Sequence, residues 1–277
     1  MIKVNFNLSY LEKILISKKN RFKLKKSEKK KISESTKNKN LLIIGAAGSI
    51  GSHFVFEILK LNFKNLYLLD KDENQLTELN RSINSRVCGK REKIKYICSD
   101  AIQFDFKKFV KFNAINQIFN FSALKHVRTE ENENSLKYMF LTNSANFLNF
   151  KMHSSVNLIF SVSTDKAINP TSMLGVSKKL MENTLYEISK KNKKIFVSSV
   201  RFTNVSFSNG SILKYVFEKL IQNQKVGVPE NIKRYFITHS EAISLCLKAI
   251  LKENKNFIIL PSSYLFEQEF EIKKLSL

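Results

Sequence analysis

The stretch Leu41-Leu42-Ile43-Ile44-Gly45-Ala46-Ala47-Gly48-Ser49-Ile50-Gly51 decides the fold. Four apolar residues in a row suit a strand buried on both faces. Three glycines follow, each needed for a different reason. Gly45 permits the tight turn off the strand, Gly48 lets the backbone approach a pyrophosphate, and Gly51 lets the next helix pack closely on the sheet. In that helix Ile50, Phe54, Ile58 and Leu61 lie near one face. Its first amides present unpaired donors and the positive dipole end to phosphate. The chain holds only 7 glycines in 277 residues, so three in one turn is a concentration. Strand, glycine turn and helix in this order predict a dinucleotide site contacted by Gly45, Gly48, Ser49, Ile50 and Gly51.

Outward from the turn the chain keeps alternating. Short apolar runs at 66–69, 94–98, 117–121, 157–162 and 195–200 read as buried strands. Helical segments lie between them, the longest near 134–151 and 177–190. This predicts an α/β fold: a doubly wound, Rossmann-like parallel sheet over residues 41–200. Residues 201–277 read as a small C-terminal substrate-binding cap. They hold helices at 211–222 and 240–251, a turn or edge at 226–229 and a short strand at 257–260. Asp70 ends the second strand about 20 residues past the turn, where an acidic residue binds the ribose 2′-hydroxyl. That favours NAD over NADP. The alternative is a cap for the helix starting near Glu73. Asp100, with Ala101 after it, suits the adenine amino group or a simple helix cap.

Composition narrows the class. The net charge is +23, and 43% of residues are hydrophobic. That suffices for a packed core, and no run approaches the length of a bilayer span. With no signal-peptide core either, a cytoplasmic protein is expected. Cys88, Cys98 and Cys246 lack metal-ligand spacing, so no metal site and reduced thiols are expected. Lys, Asn, Ile and Phe are abundant and Trp is absent, so the charge reads mainly as compositional bias. Residues 1–40 form a basic N-terminal extension, dense in positive charge from Lys18 to Lys31 and expected to be disordered or partly helical. It is expected to be dispensable for folding and cofactor binding. Leu11, Ile14, Leu15 and Phe22 would give it peripheral contact with an anionic membrane. No specific nucleic-acid module is legible.

Four blocks then carry a family resemblance: Gly45–Gly51, SALKHV at 122–127, STDKAINPT at 163–171 with GVSK at 175–178, and RFTNV at 201–205. The chain resembles the extended short-chain dehydrogenase/reductases, and within them the UDP-N-acetylglucosamine 4,6-dehydratases of bacterial surface polysaccharide biosynthesis. The resemblance implies an NAD-dependent enzyme, a UDP-sugar substrate and a homo-oligomer. It implies transient oxidation at sugar carbon 4, elimination of water across carbons 5 and 6, and hydride return. In that chemistry Lys166 is the base and Asp165 the acid, while Thr164 and Ser163 bond the reacting hydroxyl. A lysine acts as a base when burial or nearby positive charge lowers its pKa. Lys178 is expected on the nicotinamide ribose, and Ala123 and Lys125 near the cofactor. Asn143, Asn204, Ser211 and Arg234 are expected on the substrate side, arginine suiting a diphosphate through its fork of donors.

The resemblance also exposes departures. Four residues before Lys178, where short-chain dehydrogenases carry tyrosine and one dehydratase branch methionine, stands Leu174, which exchanges no proton. Thr203 occupies a glycine position, and the loop at 207–210 lacks the family's arginine and glycine. The family continues past Leu260, so an incomplete sugar site is expected. Two further readings stay open: a nucleotide-sugar epimerase, and a catalytically inactive NAD-binding homologue.

Overall fold

A computed structural model describes residues 11–12, 16–17, 19–86, 89–125, 132–145, 153–227, 233–252, 257–261 and 270–271. The sheet is built from β1 (Asn40–Ile44), β2 (Asn65–Asp70), β3 (Ile94–Cys98), β4 (Gln117–Asn120), β5 (Leu158–Thr164), β6 (Phe196–Phe202) and β10 (Ile258–Ile259). All seven pair in parallel, in the order β3-β2-β1-β4-β5-β6-β10. The chain winds outward in one direction from β1 to β3 and in the other from β4 to β10. The switch lies between β1 and β4, the place where doubly wound sheets open a crevice at their carboxyl ends.

Helices cover both faces: α2 (Ser49–Ile58), α3 (Glu73–Arg86), α4 (Phe106–Phe112), α5 (Glu133–Phe140) and α6 (Met173–Lys191), with α7 (Ile212–Ile221) and α8 (His239–Ala249) in the last third. The alternating faces of one strand feed two cores. Leu41 and Ile43 join Phe54, Phe119 and Phe160 on one side, whereas Leu42 and Ile44 join Met181 and Leu185 on the other. Two short pairs complete the cap. β7 (Asn204–Val205) runs parallel to β9 (Phe236–Ile237), and β8 (Lys233–Arg234) antiparallel to β11 (Phe270–Glu271).

The strand-helix order expected from sequence is present, with small shifts at the ends. The long helix expected at 134–151 is helical over Glu133–Phe140, followed by a π-helical turn at Leu141–Ala145. Residues 146–151 lie outside the described residues, as do 228–229 of the expected turn at 226–229.

The basic N-terminal block differs from a solvated tail. Lys26–Thr36 forms a helix, α1, and Phe22, Leu24 and Ile32 are buried in the larger core. Arg21 grips the fully buried Glu241 on α8 through Nε at 2.7 Å and Nη2 at 2.8 Å. Asn20 donates to the Ser240 carbonyl and to Ser244, and Gln117 donates to the Ser35 carbonyl. Sequence reading singled out Phe22 only as a membrane contact, because a few apolar residues among lysines do not show which surface they cover. The segment 19–36 is therefore a strap across α8, and this packing argues against its being dispensable for folding. The residues expected to touch a membrane divide differently: Phe22 is buried in the core, Leu11 packs in the cap, and Ile14 and Leu15 lie outside the described residues.

Removing one partner of a buried ion pair strands the other charge, typically at a cost of about 3–5 kcal/mol. Arg21→Ala is therefore expected to destabilise the fold by about 3 kcal/mol, read as an earlier midpoint in urea unfolding. An unchanged midpoint would contradict the strap.

Candidate functional site

The site opens at the switch point. Gly45 leaves β1 with φ +70°, in the region that favours glycine, and a Cβ there would stand 2.6 Å from the Ser122 amide nitrogen. A Cβ on Gly51 would collide with the Gly45 carbonyl. Gly48 is the N-cap of α2, with no side chain capping the first turn. The first-turn amides of Ser49, Ile50 and Gly51 thus face a shallow, glycine-lined cradle that suits a phosphate.

Beside the cradle lies a cleft lined by Ile44, Gly45, Gly48, Asp70, Lys71, Asp100, Ala101, Ser122, Ala123, Leu124, Tyr138 and Thr142. It brings together much of the expected cofactor set from the ends of β1, β2, β3 and β4. Asp70 accepts from the Ala47 amide at 2.8 Å and from the Asp72 amide at 3.1 Å. The cap of α3 falls to Asp72, whose carboxylate accepts from Gln75 N at 3.0 Å. Asp70 instead ties the second strand to the glycine turn. Asp100 accepts from the Ile102 amide at 2.9 Å and from the Tyr138 hydroxyl. Lys71 donates to the same hydroxyl at 3.2 Å and sits over the ring. Tyr138 was not legible as a site residue, since it belongs to no motif, whereas Lys71 stood out in the sequence only as the neighbour that offsets Asp70 in the choice between NAD and NADP.

The segment at 163–178 is held by its own hydrogen bonds. Thr164 ends β5 and caps the 3-10 turn at Asp165–Ala167. Its hydroxyl donates to Asp165 Oδ1 at 2.8 Å, and Lys166 Nζ lies 3.2 Å from the same oxygen. Asp165 and Lys166 are each about 40% exposed, so this cluster is open to a ligand. Gly175 is needed because a Cβ would strike the Lys166 carbonyl. That close approach brings α6 against the turn, and it buries Leu174.

Lys178, not Lys166, is the buried lysine. Its Nζ donates to the Val162 carbonyl at 3.0 Å. Burial pulls its pKa down to about 8, against a smaller upward pull from Glu182. Ser163 is turned away from the open cluster. It donates to Glu182 at 2.6 Å, and Glu182 also accepts from Arg201 Nε at 2.7 Å, all inside the protein. The expectation that Ser163 meets a sugar hydroxyl is corrected: its hydroxyl is committed to the core.

The remaining expected residues fall into three places. Asn143 is fully buried and bonds the Leu124 amide and carbonyl at 2.9 Å each, and Ser177 Oγ at 3.0 Å. It clamps the loop after β4 onto α6, so its role is positioning and not direct contact. Lys125 reaches Ser208 at 3.5 Å, towards the 206–210 loop. Its pKa is lowered by burial first and by Lys214 second. The structure thus directs Lys125 to the cap and leaves Ala123 and Leu124 lining the cofactor cleft. Asn204 and Arg234 do meet, Nη1 to Oδ1 at 3.5 Å, and Asn204 also donates to the Tyr235 carbonyl. Ser211 is the N-cap of α7 and accepts from Lys214 N. Phe207 is held at φ +51° in the loop that departs from the family pattern. His126 and Val127 of the SALKHV block, and Cys88, lie outside the described residues.

With this geometry in view, the relatives can be set beside it. A family model described as polysaccharide biosynthesis protein matches residues 41–264. An uncharacterised membrane protein of Methanocaldococcus jannaschii is 32% identical over 234 residues, 82% of this chain and 68% of that one. The capsular polysaccharide biosynthesis protein CapD of Staphylococcus aureus is 28% identical over 229 residues, 79% of this chain and 37% of its own. The chain thus spans about two thirds of the first and little over a third of the second. Among solved structures, the UDP-glucuronic acid 4-epimerase of Bacillus cereus, in complex with UDP-glucuronic acid and NAD, superposes with a TM-score of 0.69 at 18% identity. It covers 84% of this chain and 80% of that one, a likeness of fold. Among the described residues no helix is long and apolar enough to cross a membrane.

Lys178 carries a pH test. The folded chain releases this proton near pH 8, the unfolded chain near the ordinary lysine value of 10.5. Between those values the unfolded state binds more protons, so stability rises with pH. Lys178→Met is expected to diminish that rise, leaving the smaller share of Lys90 and Lys125, and to be the more stable protein at neutral pH, measured by urea unfolding across pH 7–10.5. A rise undiminished in Lys178→Met would contradict the buried lysine as its main source.

Proposed function

The chain belongs to the polysaccharide biosynthesis protein family of extended short-chain dehydrogenase/reductases, and from that premise we propose that it is a nucleotide-sugar 4,6-dehydratase. The substrate proposed is UDP-N-acetylglucosamine or a similar UDP-N-acetylhexosamine. One observation carries the reading. The hydroxyl, carboxylate and ammonium of Thr164, Asp165 and Lys166 converge within 3.2 Å at the open end of β5, while apolar Leu174 fills the place of a proton-exchanging tyrosine. A carbon 4 epimerase needs the tyrosine and has no use for the acid-base pair.

The cradle fits NAD: three glycines where side chains would intrude, an uncapped helix start for the diphosphate, and Asp70 and Asp100 at the adenosine end. When bound, NAD supplies the site with a reversible hydride acceptor. Gly45, Gly48, Ser49, Ile50 and Gly51 hold its diphosphate. Asp70 favours it over NADP, because a carboxylate repels a 2′-phosphate, and Lys178 meets the nicotinamide ribose.

The chain's own residues then move protons. Thr164 accepts the proton of the carbon 4 hydroxyl and passes it along its 2.8 Å hydrogen bond to Asp165. Lys166 removes the proton from carbon 5, which the neighbouring ketone has made acidic. Asp165 gives its proton to the carbon 6 hydroxyl, which leaves as water, and Lys166 returns a proton to carbon 5 as the hydride comes back to carbon 6. General acid-base catalysis of this kind is worth about 10²–10⁴-fold. Asn204 and Arg234 face the diphosphate of the UDP-sugar, with Asn143 and Ser211 fixing the elements that carry the sugar pocket. Met173, Val176 and Leu180 leave an apolar stripe along α6 through which the enzyme assembles as a homo-oligomer.

Mass spectrometry of UDP-N-acetylglucosamine incubated with the protein and NAD is the test. The expected product is lighter by one water. An isomer of unchanged mass would mean an epimerase, and no turnover despite NAD binding would mean an inactive homologue. Leu174→Tyr is expected to leave the rate unchanged or lower it by crowding, since Thr164 already handles the hydroxyl proton. A rate raised by the new hydroxyl would contradict that assignment.

A further inference from the structure

Behind the glycine turn lies a chain of hydrogen bonds drawn from three distant parts of the sequence. Ser49, first residue of α2, bonds its hydroxyl to His239 Nε2 at 2.9 Å. His239, first residue of α8, has Nδ1 2.8 Å from Glu12 Oε1. The same carboxylate oxygen accepts from the His239 amide at 3.1 Å and from Ser206 Oγ at 2.6 Å. Glu12 and His239 are both more than nine-tenths buried. The bonds from His239 and Ser206 outweigh burial and hold the Glu12 carboxyl below its usual range. None of these bonds is needed to form α8, whose start is already capped by Thr238 and Glu241.

We propose that Glu12 and His239 are positioning residues of the dinucleotide site, which set the Ser49 hydroxyl against the cofactor's diphosphate and bring the N-terminal block into that site. The inference rests on the cofactor reading above. Its logic is proton counting. Glu12 takes the Nδ1 proton of the ring, so in the neutral ring Nε2 accepts the Ser49 proton and the hydroxyl shows a diphosphate only lone pairs. In the doubly protonated ring Nε2 donates, and the Ser49 proton is released towards the diphosphate. The anion therefore selects the second arrangement, with the imidazolium balanced by Glu12.

The charged and titratable groups around the ring support this choice. Glu12 faces it from the N-terminal block. His53 stacks on it from α2 at 4.4 Å between centroids. The His53 pKa is lowered, by desolvation first and by His239 second, with Arg86 a smaller contributor, so His53 is the poorer site for the added proton. On α8 itself Glu241 is already neutralised by Arg21.

Calorimetric titration of NAD into the full chain, in two buffers of different ionisation enthalpy near pH 7.5, tests the proposal. The wild type is expected to take up protons on binding, and His239→Gln to take up none. His239→Gln and Glu12→Gln are each expected to weaken NAD about tenfold, the scale of one hydrogen bond to a charged group. Adding His239→Gln to Ser49→Ala should weaken binding no further, because the two act through one hydroxyl. Should the variants not fold, hydrogen exchange on the wild type decides: NAD is expected to slow exchange of the His239 amide, which donates to Glu12. Unchanged affinity in both glutamine variants, additive effects with Ser49→Ala, or no slowing at His239 would each overturn the inference and leave the cofactor reading intact. A folded wild type that does not bind NAD would overturn both.

Discussion

The arrangement depends on one close approach. The carbonyl of Gly45, at the end of β1, lies where any side chain on Gly51 would have to be. Only glycine at position 51 lets α2 come down onto the sheet at this height, and only glycine at position 45 turns off the strand against the Ser122 backbone. Once these backbones are in contact, the first turn of α2 is aimed at the switch point between β1 and β4. Asp70 holds the turn from the other side through the Ala47 amide. The cradle is rigid because strand, turn and neighbouring strand hold one another.

A second set of constraints places the acid-base cluster relative to that cradle. Gly175 lets α6 pack on the Lys166 carbonyl, and Asn143 ties α6 to the loop after β4 through Ser177 and Leu124. Ser177 in turn donates to the Leu174 carbonyl. Leu174 is thus fixed by the backbone around it, although its side chain offers no proton chemistry. The buried network of Ser163, Glu182 and Arg201 braces β5 and β6 beneath the cluster. A fully bonded polar network inside a core keeps one geometry, because every alternative leaves a buried group unpaired.

Much of this was legible in the sequence, for physical reasons that also mark where legibility ends. Apolar runs such as Leu41–Ile44 and Leu158–Phe160 report strands because a parallel sheet buries both faces. The glycine turn and the 163–178 segment stood out because backbone contacts and proton transfers tolerate few residue types. Side-chain direction was not legible: Ser163 and Thr164 are neighbours on one strand, yet strand alternation sends one into the core and the other to the open site. Asn143 and Lys125 were read as contact residues because a motif shows proximity but not which way an atom points. The strap and Glu12 were missed because their partners, Glu241 and His239, lie more than two hundred residues away.

The central claim is that Lys166 takes a proton from sugar carbon 5 while water leaves from carbon 6. The most direct measurement is turnover of UDP-N-acetylglucosamine in heavy water, with the product's label located by NMR. The account predicts one solvent deuterium at carbon 5, and its loss in Lys166→Ala. Product formed with no solvent hydrogen at carbon 5, or label retained undiminished in Lys166→Ala, would contradict it.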